Sequence, residues 1–287
     1  MERARTAWLE RRVLAYAHRG GAREAPASTV YAIERAVALG ATGIELDVHS
    51  SSDGVPVVSH DPTVDASTNG SGAIASKPLA ELRSLDHAYV FVEGRGDDPS
   101  AVGSHALRGR GPSDRRFTVA TLDEALEASR GAFVNLDLKS GPPAVPSYTA
   151  AVAEAIARHG RGDEVIVTSF DDRRTAAFAA LAPGVATSPG VGGLAQFVQA
   201  IRSGEPVAPM APHHVALQVP LEIGGAVLVD DQFVEAAHHQ GLAVHVWTVD
   251  DRSTMDRLVD LDVDGIMSDV PTVLVDVLTR RGAAYRQ

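Results

Sequence analysis

Residues 43–61 read Gly43-Ile44-Glu45-Leu46-Asp47-Val48-His49-Ser50-Ser51-Ser52-Asp53-Gly54-Val55-Pro56-Val57-Val58-Ser59-His60-Asp61. Apolar residues at alternate positions from Ile44 to Val48 have the period of a strand, so Glu45 and Asp47 share the face opposite Ile44, Leu46 and Val48. Ser51 to Gly54 supply turn chemistry, and residues 55–59 return as an antiparallel strand beside an upward extension of the first. A turn centred near Asp53 brings His60 opposite Leu46, next to both acids.

Working outward, short β-branched runs recur at residues 13–17, 43–48, 133–138, 165–169, 185–187, 215–219, 243–249 and 265–268, with helix-like segments between and after them. Eight strands alternating with helices predict a parallel α/β fold, a (β/α)8 TIM barrel carrying a β-hairpin and a small insertion after strand two. The first helix is expected from Ser28 to Leu39, with Ser28 as N-cap, Val30, Ile33, Ala36 and Val37 at helical spacing and Gly40 as the stop. Between Asp61 and Phe117 the alternation ceases. A helical piece at residues 79–85 and a polar, Gly-rich tract at residues 93–116 read as an insertion whose second half is a mobile loop. We expect one domain over residues 1–287.

Composition narrows the function classes. With 287 residues and 45% hydrophobic content the chain can bury a large core. A formal charge of −11, from 26 Lys and Arg against 37 Asp and Glu, argues against a protein that tracks nucleic-acid backbones. There is no cysteine, so thiolate nucleophiles, thiolate metal ligands and disulfides are excluded. The mixed charges of residues 1–12 and the lack of any long apolar run predict a soluble, cytoplasmic protein without integral membrane association, acting on a small molecule as a monomer or homodimer.

Catalytic groups of parallel barrels sit where strands end. The first strand ends in His18-Arg19-Gly20-Gly21, an imidazole and a guanidinium followed by residues that permit a sharp backbone turn. On strand two, the paired carboxylates Glu45 and Asp47 need a proton or a cation to offset their repulsion. An oxygen-only donor set suits Ca²⁺ or Mg²⁺, with Mn²⁺ a further candidate, better than Zn²⁺. In Asn135-Leu136-Asp137-Leu138-Lys139, alternation puts Asp137 and Lys139 on one face, as a third metal ligand and a phosphate contact or, more plainly, as a mutually neutralising pair. His60 arrives by the hairpin. Two imidazoles, three carboxylates and two cations at one mouth fit metal-assisted phosphodiester cleavage. On strand seven, Trp247 offers an apolar wall to the substrate or packs in the core, and His245 reads as a satisfied interior histidine. His213-His214 and His238-His239 read as solvated pairs.

The chain resembles the glycerophosphodiester phosphodiesterase family from Ala17 to about Leu274. The resemblance is carried by His18-Arg19-Gly20, residues 43–48, residues 53–61, Leu136 to Lys139, Thr168-Ser169-Phe170-Asp171, Val246 to Asp250 and Val263 to Pro271. It implies hydrolysis of glycerophosphodiesters to glycerol 3-phosphate and an alcohol, with a divalent cation. It places the acid and base on His18 and His60, the metal carboxylates on Glu45 and Asp47, and the phosphate cations on Arg19 and Lys139. Asp137 stands where the family usually has Glu. Pro26-Ala27-Ser28-Thr29 replaces the common Pro-Glu-Asn-Thr, and Ala66-Ser67-Thr68 the frequent Arg-Thr-Thr. Two other readings remain open: a lysophospholipase D or sphingomyelinase D-like activity, which needs an apolar groove that the polar insertion does not offer, and a non-catalytic barrel that binds phosphoglycerol compounds.

Overall fold

The computed structural model describes residues 8–9, 12–96, 102–139 and 148–284. Eight parallel strands form a nearly closed barrel. They are β1 (Leu14–His18), β2 (Gly43–Ser50), β5 (Phe133–Leu138), β6 (Val165–Thr168), β7 (Ala186–Thr187), β8 (Ala216–Pro220), β11 (Ala243–Trp247) and β12 (Gly265–Ser268). Their lateral order is β7-β6-β5-β2-β1-β12-β11-β8, while β9 (Glu222–Ile223) and β10 (Ala226–Val227) form a separate two-stranded sheet after β8. A bridge between Thr187 and His214 joins the two ends of that path. The eight predicted runs are these eight strands, with ends shifted by a residue or two.

The hairpin forms as its turn chemistry predicts. Val48 pairs with Val58 and Ser50 with Pro56, so β3 (Pro56–Val58) runs antiparallel to β2. The same register carries His60 to the level of Leu46, and the Ser59 amide donates to the Asp47 carbonyl at 3.0 Å. On its other edge, β3 pairs with β4 (Ala120–Thr121), which leads into the helix Leu122–Ala128 through a capping box between Thr121 and Glu124. The helical piece of the insertion spans Leu79–Leu82, shorter than expected. Part of the tract expected to be mobile, residues 97–101, lies outside the described residues.

The first helix spans Val30–Ala38, and its N-cap is Thr29, whose hydroxyl accepts from the Ala32 amide. Ser28, the expected cap, instead has φ +61 and carries the chain into that position. A cap residue must have extended backbone for its side chain to reach the free amides, and Thr29 has it. Gly40 ends the helix at φ +95, as expected.

Inside the barrel, Tyr16 and His245 pack with ring centroids 5.2 Å apart. Gly265 makes the room, since a Cβ there would stand 2.7 Å from the His245 ring. His245 is buried as expected, but neither ring nitrogen has a hydrogen-bond partner among the described residues, so it is an unsatisfied interior histidine. Of the pairs read as solvated, His214 is buried and bonds to Thr187 Oγ1 at 2.8 Å, and His238 contacts Asp264 at 2.9 Å. Barrel closure at Thr187 draws His214 inward, which local sequence does not encode. No helix among the described residues is long and apolar enough to cross a membrane.

Candidate active site

Strand register assembles the site. His18 aligns with Glu45, Glu45 with Asn135, Asp47 with Asp137, and Asp137 with Thr168, so the polar residues of β1, β2, β5 and β6 stand in adjacent rows. They open into one cavity of about 290 Å³ that also takes in Arg19, His60, Lys139 and Trp247. All eight residues singled out from the sequence therefore line one mouth, at the C-terminal ends of the strands.

β1 ends in a tight turn in which Arg19, Gly20 and Gly21 all have positive φ. A Cβ on Gly20 would lie 2.7 Å from that of Ala32, so glycine lets the turn press against the first helix. The turn sends the Arg19 Nε to within 3.5 Å of Asp47 and its amide onto the Glu45 carbonyl at 2.9 Å.

His18 is held by an acid that sequence reasoning passed over. Its Nδ1 lies 2.6 Å from Asp269 Oδ1, and its Nε2 lies 3.7 Å from Glu45. Burial would lower the imidazole pKa, but the Asp269 hydrogen bond and the Glu45 charge outweigh it, and the pKa is raised. Asp269 is fixed in turn by Asp250, which accepts from the Asp269 amide at 2.8 Å and from the Ser268 hydroxyl at 3.0 Å. The available signal was position, because Asp269 directly follows β12 as Arg19 follows β1. His60 is more open, and its Nδ1 contacts its neighbour Asp61 at 2.7 Å.

The carboxylates are crowded and dry. Burial, then the charge of Asp47, push the Glu45 carboxyl up to about 8, and burial raises Asp137 against the opposing pull of Lys139. Lys139 lies 2.8 Å from Asp47 Oδ1 and 2.6 Å from Asp137 Oδ2. Burial disfavours its charge, but these two carboxylates outweigh that and raise its pKa. The mutually neutralising pair foreseen from sequence is thus present, widened to include Asp47. As placed, no three His, Asp or Glu among the described residues form a ready set of metal ligands. However, Asp47 Oδ2 and Asp137 Oδ1 are buried without a hydrogen-bond partner. Two buried carboxylate oxygens without hydrogen bonds, beside a carboxyl that resists ionising, form an oxygen donor set that fits a hard divalent cation.

Known proteins share this arrangement of fold and sequence. Residues 18–273 match the model of the Glycerophosphoryl diester phosphodiesterase family. The chain is 29% identical over 279 residues to a glycerophosphodiester phosphodiesterase of Caldanaerobacter subterraneus, spanning 94% of this chain and 100% of that protein. It is 32% identical to the probable glycerophosphodiester phosphodiesterase 2 of Mycobacterium tuberculosis, spanning 94% and 92%. Among solved structures, a phosphodiesterase of Oleispira antarctica in complex with the product sn-glycerol-3-phosphate superposes with a TM-score of 0.72 at 25% identity, covering 95% of this chain and 99% of that one.

Proposed function

The chain belongs to the glycerophosphoryl diester phosphodiesterase family and is a phosphoric diester hydrolase, and from that premise we propose how it works and on what. The reaction is hydrolysis of a glycerophosphodiester to glycerol 3-phosphate and an alcohol. The observation that carries this reading is the convergence of two carboxylate-held histidines with buried acids and two cations on one cavity. The product bound by the Oleispira antarctica protein, sn-glycerol-3-phosphate, supports the same reaction here.

Glu45, Asp47 and Asp137 would hold a divalent cation, Ca²⁺, Mg²⁺ or Mn²⁺. When bound, the cation supplies positive charge to the phosphate oxygens. Arg19 and Lys139 flank the same space and orient the phosphate. The Asp269 contact favours the protonated His18 imidazole, so His18 is the general acid that protonates the departing alkoxide as the P–O bond breaks. His60 takes the proton from the attacking oxygen, either water, which gives glycerol 3-phosphate directly, or the neighbouring glycerol hydroxyl, which gives a cyclic phosphate that water then opens to glycerol 3-phosphate.

The test is release of glycerol 3-phosphate from glycerophosphocholine and glycerophosphoglycerol by EDTA-stripped protein, with and without each metal. Metal-restored release that falls by about 10²-fold or more in His18→Ala and in His60→Ala supports the assignment. Near-wild-type turnover in both variants removes the two histidines from the chemistry. Binding of these diesters without turnover under any metal would instead identify a non-catalytic barrel.

A further inference from the structure

The two histidines of the site are supported unequally. His18 lies within β1, and its ring is held by Asp269, which Asp250 holds in turn. His60 lies beyond β3, which ends at Val58, and its Nδ1 contact is its own chain neighbour Asp61. The His60 and Asp61 side chains are 41% and 45% exposed. A contact between two exposed side chains orients a ring weakly, because water competes for both groups and each gives up rotamer freedom. A general base must nevertheless stand within about 3 Å of the oxygen whose proton it takes. A misplacement of about 1 Å costs on the order of 10²-fold in rate.

The firmer support comes from β2. Two hydrogen bonds to that strand bracket the His60 Cα. Before it, the Ser59 amide donates to the Asp47 carbonyl at 3.0 Å. After it, the His60 carbonyl accepts from His49 Nε2 at 3.2 Å. A carbonyl oxygen can only accept, so Nε2 is the ring nitrogen that carries the hydrogen. Strand alternation puts His49 on the face of Glu45 and Asp47, two residues beyond Asp47. It is buried, at 8% exposure, and lies outside the lining of the catalytic cavity, behind His60. Among the described residues, no other side chain of the barrel strands donates to the main chain of residues 59–61. The ladder between β2 and β3 runs from Ser50 and Pro56 to Val48 and Val58, so His49 extends the hold of β2 past the point where strand pairing stops. Because β2 also carries Glu45 and Asp47, the same bond sets where His60 stands relative to the two acids.

We infer that His49 is the positioning residue of His60: its Nε2–H bond to the His60 carbonyl locks the exit of the hairpin against β2 and keeps the His60 imidazole within reach of the attacking oxygen. His49 acts through the main chain and takes no part in the proton transfer. This rests on the reading of His60 as the base and adds the residue that fixes its place.

The experiment measures kcat and KM of the metal-loaded enzyme on glycerophosphoglycerol for His49→Leu, His49→Gln, His60→Ala, and His49→Leu combined with His60→Ala. Leu fills much of the space of the ring and cannot donate, whereas the Gln amide can place an N–H close to the position of Nε2. The inference expects His49→Leu to lower kcat by about tenfold or more. KM should stay within about twofold, and His49→Gln should regain most of the lost kcat. Once His60 is Ala, His49→Leu should cost nothing further, because residues that act as one unit are not additive. A loss that persists in full in the His60→Ala background makes the ring a general support of the fold and overturns the inference. So does wild-type kcat in His49→Leu while His60→Ala is crippled, a result that leaves the hydrolase reading intact. Near-wild-type kcat in His60→Ala removes the base and this inference with it. If thermal unfolding shows that His49→Leu does not fold, His49→Asn carries the same test, since its shorter amide stops short of the His60 carbonyl.

Discussion

At the scale of single residues, the site stores its chemistry in carboxylates that burial has made unwilling to ionise. Glu45 titrates at about 8 rather than 4.5. A group whose folded pKa is raised binds its proton more tightly in the native state. The stability it contributes is therefore fully present below pH 4.5 and is lost as pH rises through about 8. Metal-free protein should thus lose stability over that window. Glu45→Gln, which cannot ionise, should be the more stable of the two at pH 8 by a few kcal/mol while having no useful activity. Urea unfolding at pH 5 and pH 8 checks this, and an equal loss in both proteins would show that Glu45 is not the group responsible. Asp269 acts through His18. Asp269→Asn should lower kcat by about 10²-fold, leave KM nearly unchanged and move the alkaline limb of the pH–rate profile downward, because the charge that holds the His18 proton is gone. A profile unmoved from wild type would leave Asp269 a purely structural role.

At the scale of elements, strand period and turn chemistry carried most of the information. The hairpin is the instructive part: Ser51 to Gly54 fixed a turn, the turn fixed a register, and the register placed His60 beside Glu45 and Asp47 before any contact was known. The first helix shows where such reasoning fails by one residue. Ser28 and Thr29 are both good capping types, and only the backbone decides between them, since Ser28 is left-handed and Thr29 extended. Thr29→Ala should therefore destabilise the protein by about 1 kcal/mol, read from the denaturant midpoint. Ser28→Ala should cost less, because its hydroxyl caps nothing. Equal losses would return the cap to Ser28.

At the scale of the whole molecule, closing eight strands into a barrel creates an interior that no single element specifies. His245 is sealed in it with a pKa of about 3, and His87 is buried under the insertion with a pKa of about 4, both lowered by burial. In the unfolded chain each binds a proton near 6.5, whereas the native state excludes it. Stability is therefore full above about 6.5 and falls as pH drops towards 4 and below. His245→Leu, an apolar replacement for a ring with no hydrogen-bond partner among the described residues, should flatten that acid limb. Melting temperatures from pH 7 to pH 4.5 measure it, and a variant that loses stability as steeply as wild type would assign the effect elsewhere. Closure also gathers apolar residues from elements far apart in sequence. Phe170, Leu194 and Ile223 belong to a loop, a helix and a short strand, none apolar enough alone to suggest a groove.

The barrel, the hairpin and the eight residues that line its mouth were legible in the sequence, because strand period is local and strand ends are where a parallel barrel exposes polar groups. Folding added that Asp269 holds His18 and that Lys139 reaches Asp47 as well as its foreseen partner Asp137. Those facts depend on distances between residues dozens to hundreds of positions apart. Such distances are set by how the barrel closes, which no local pattern encodes.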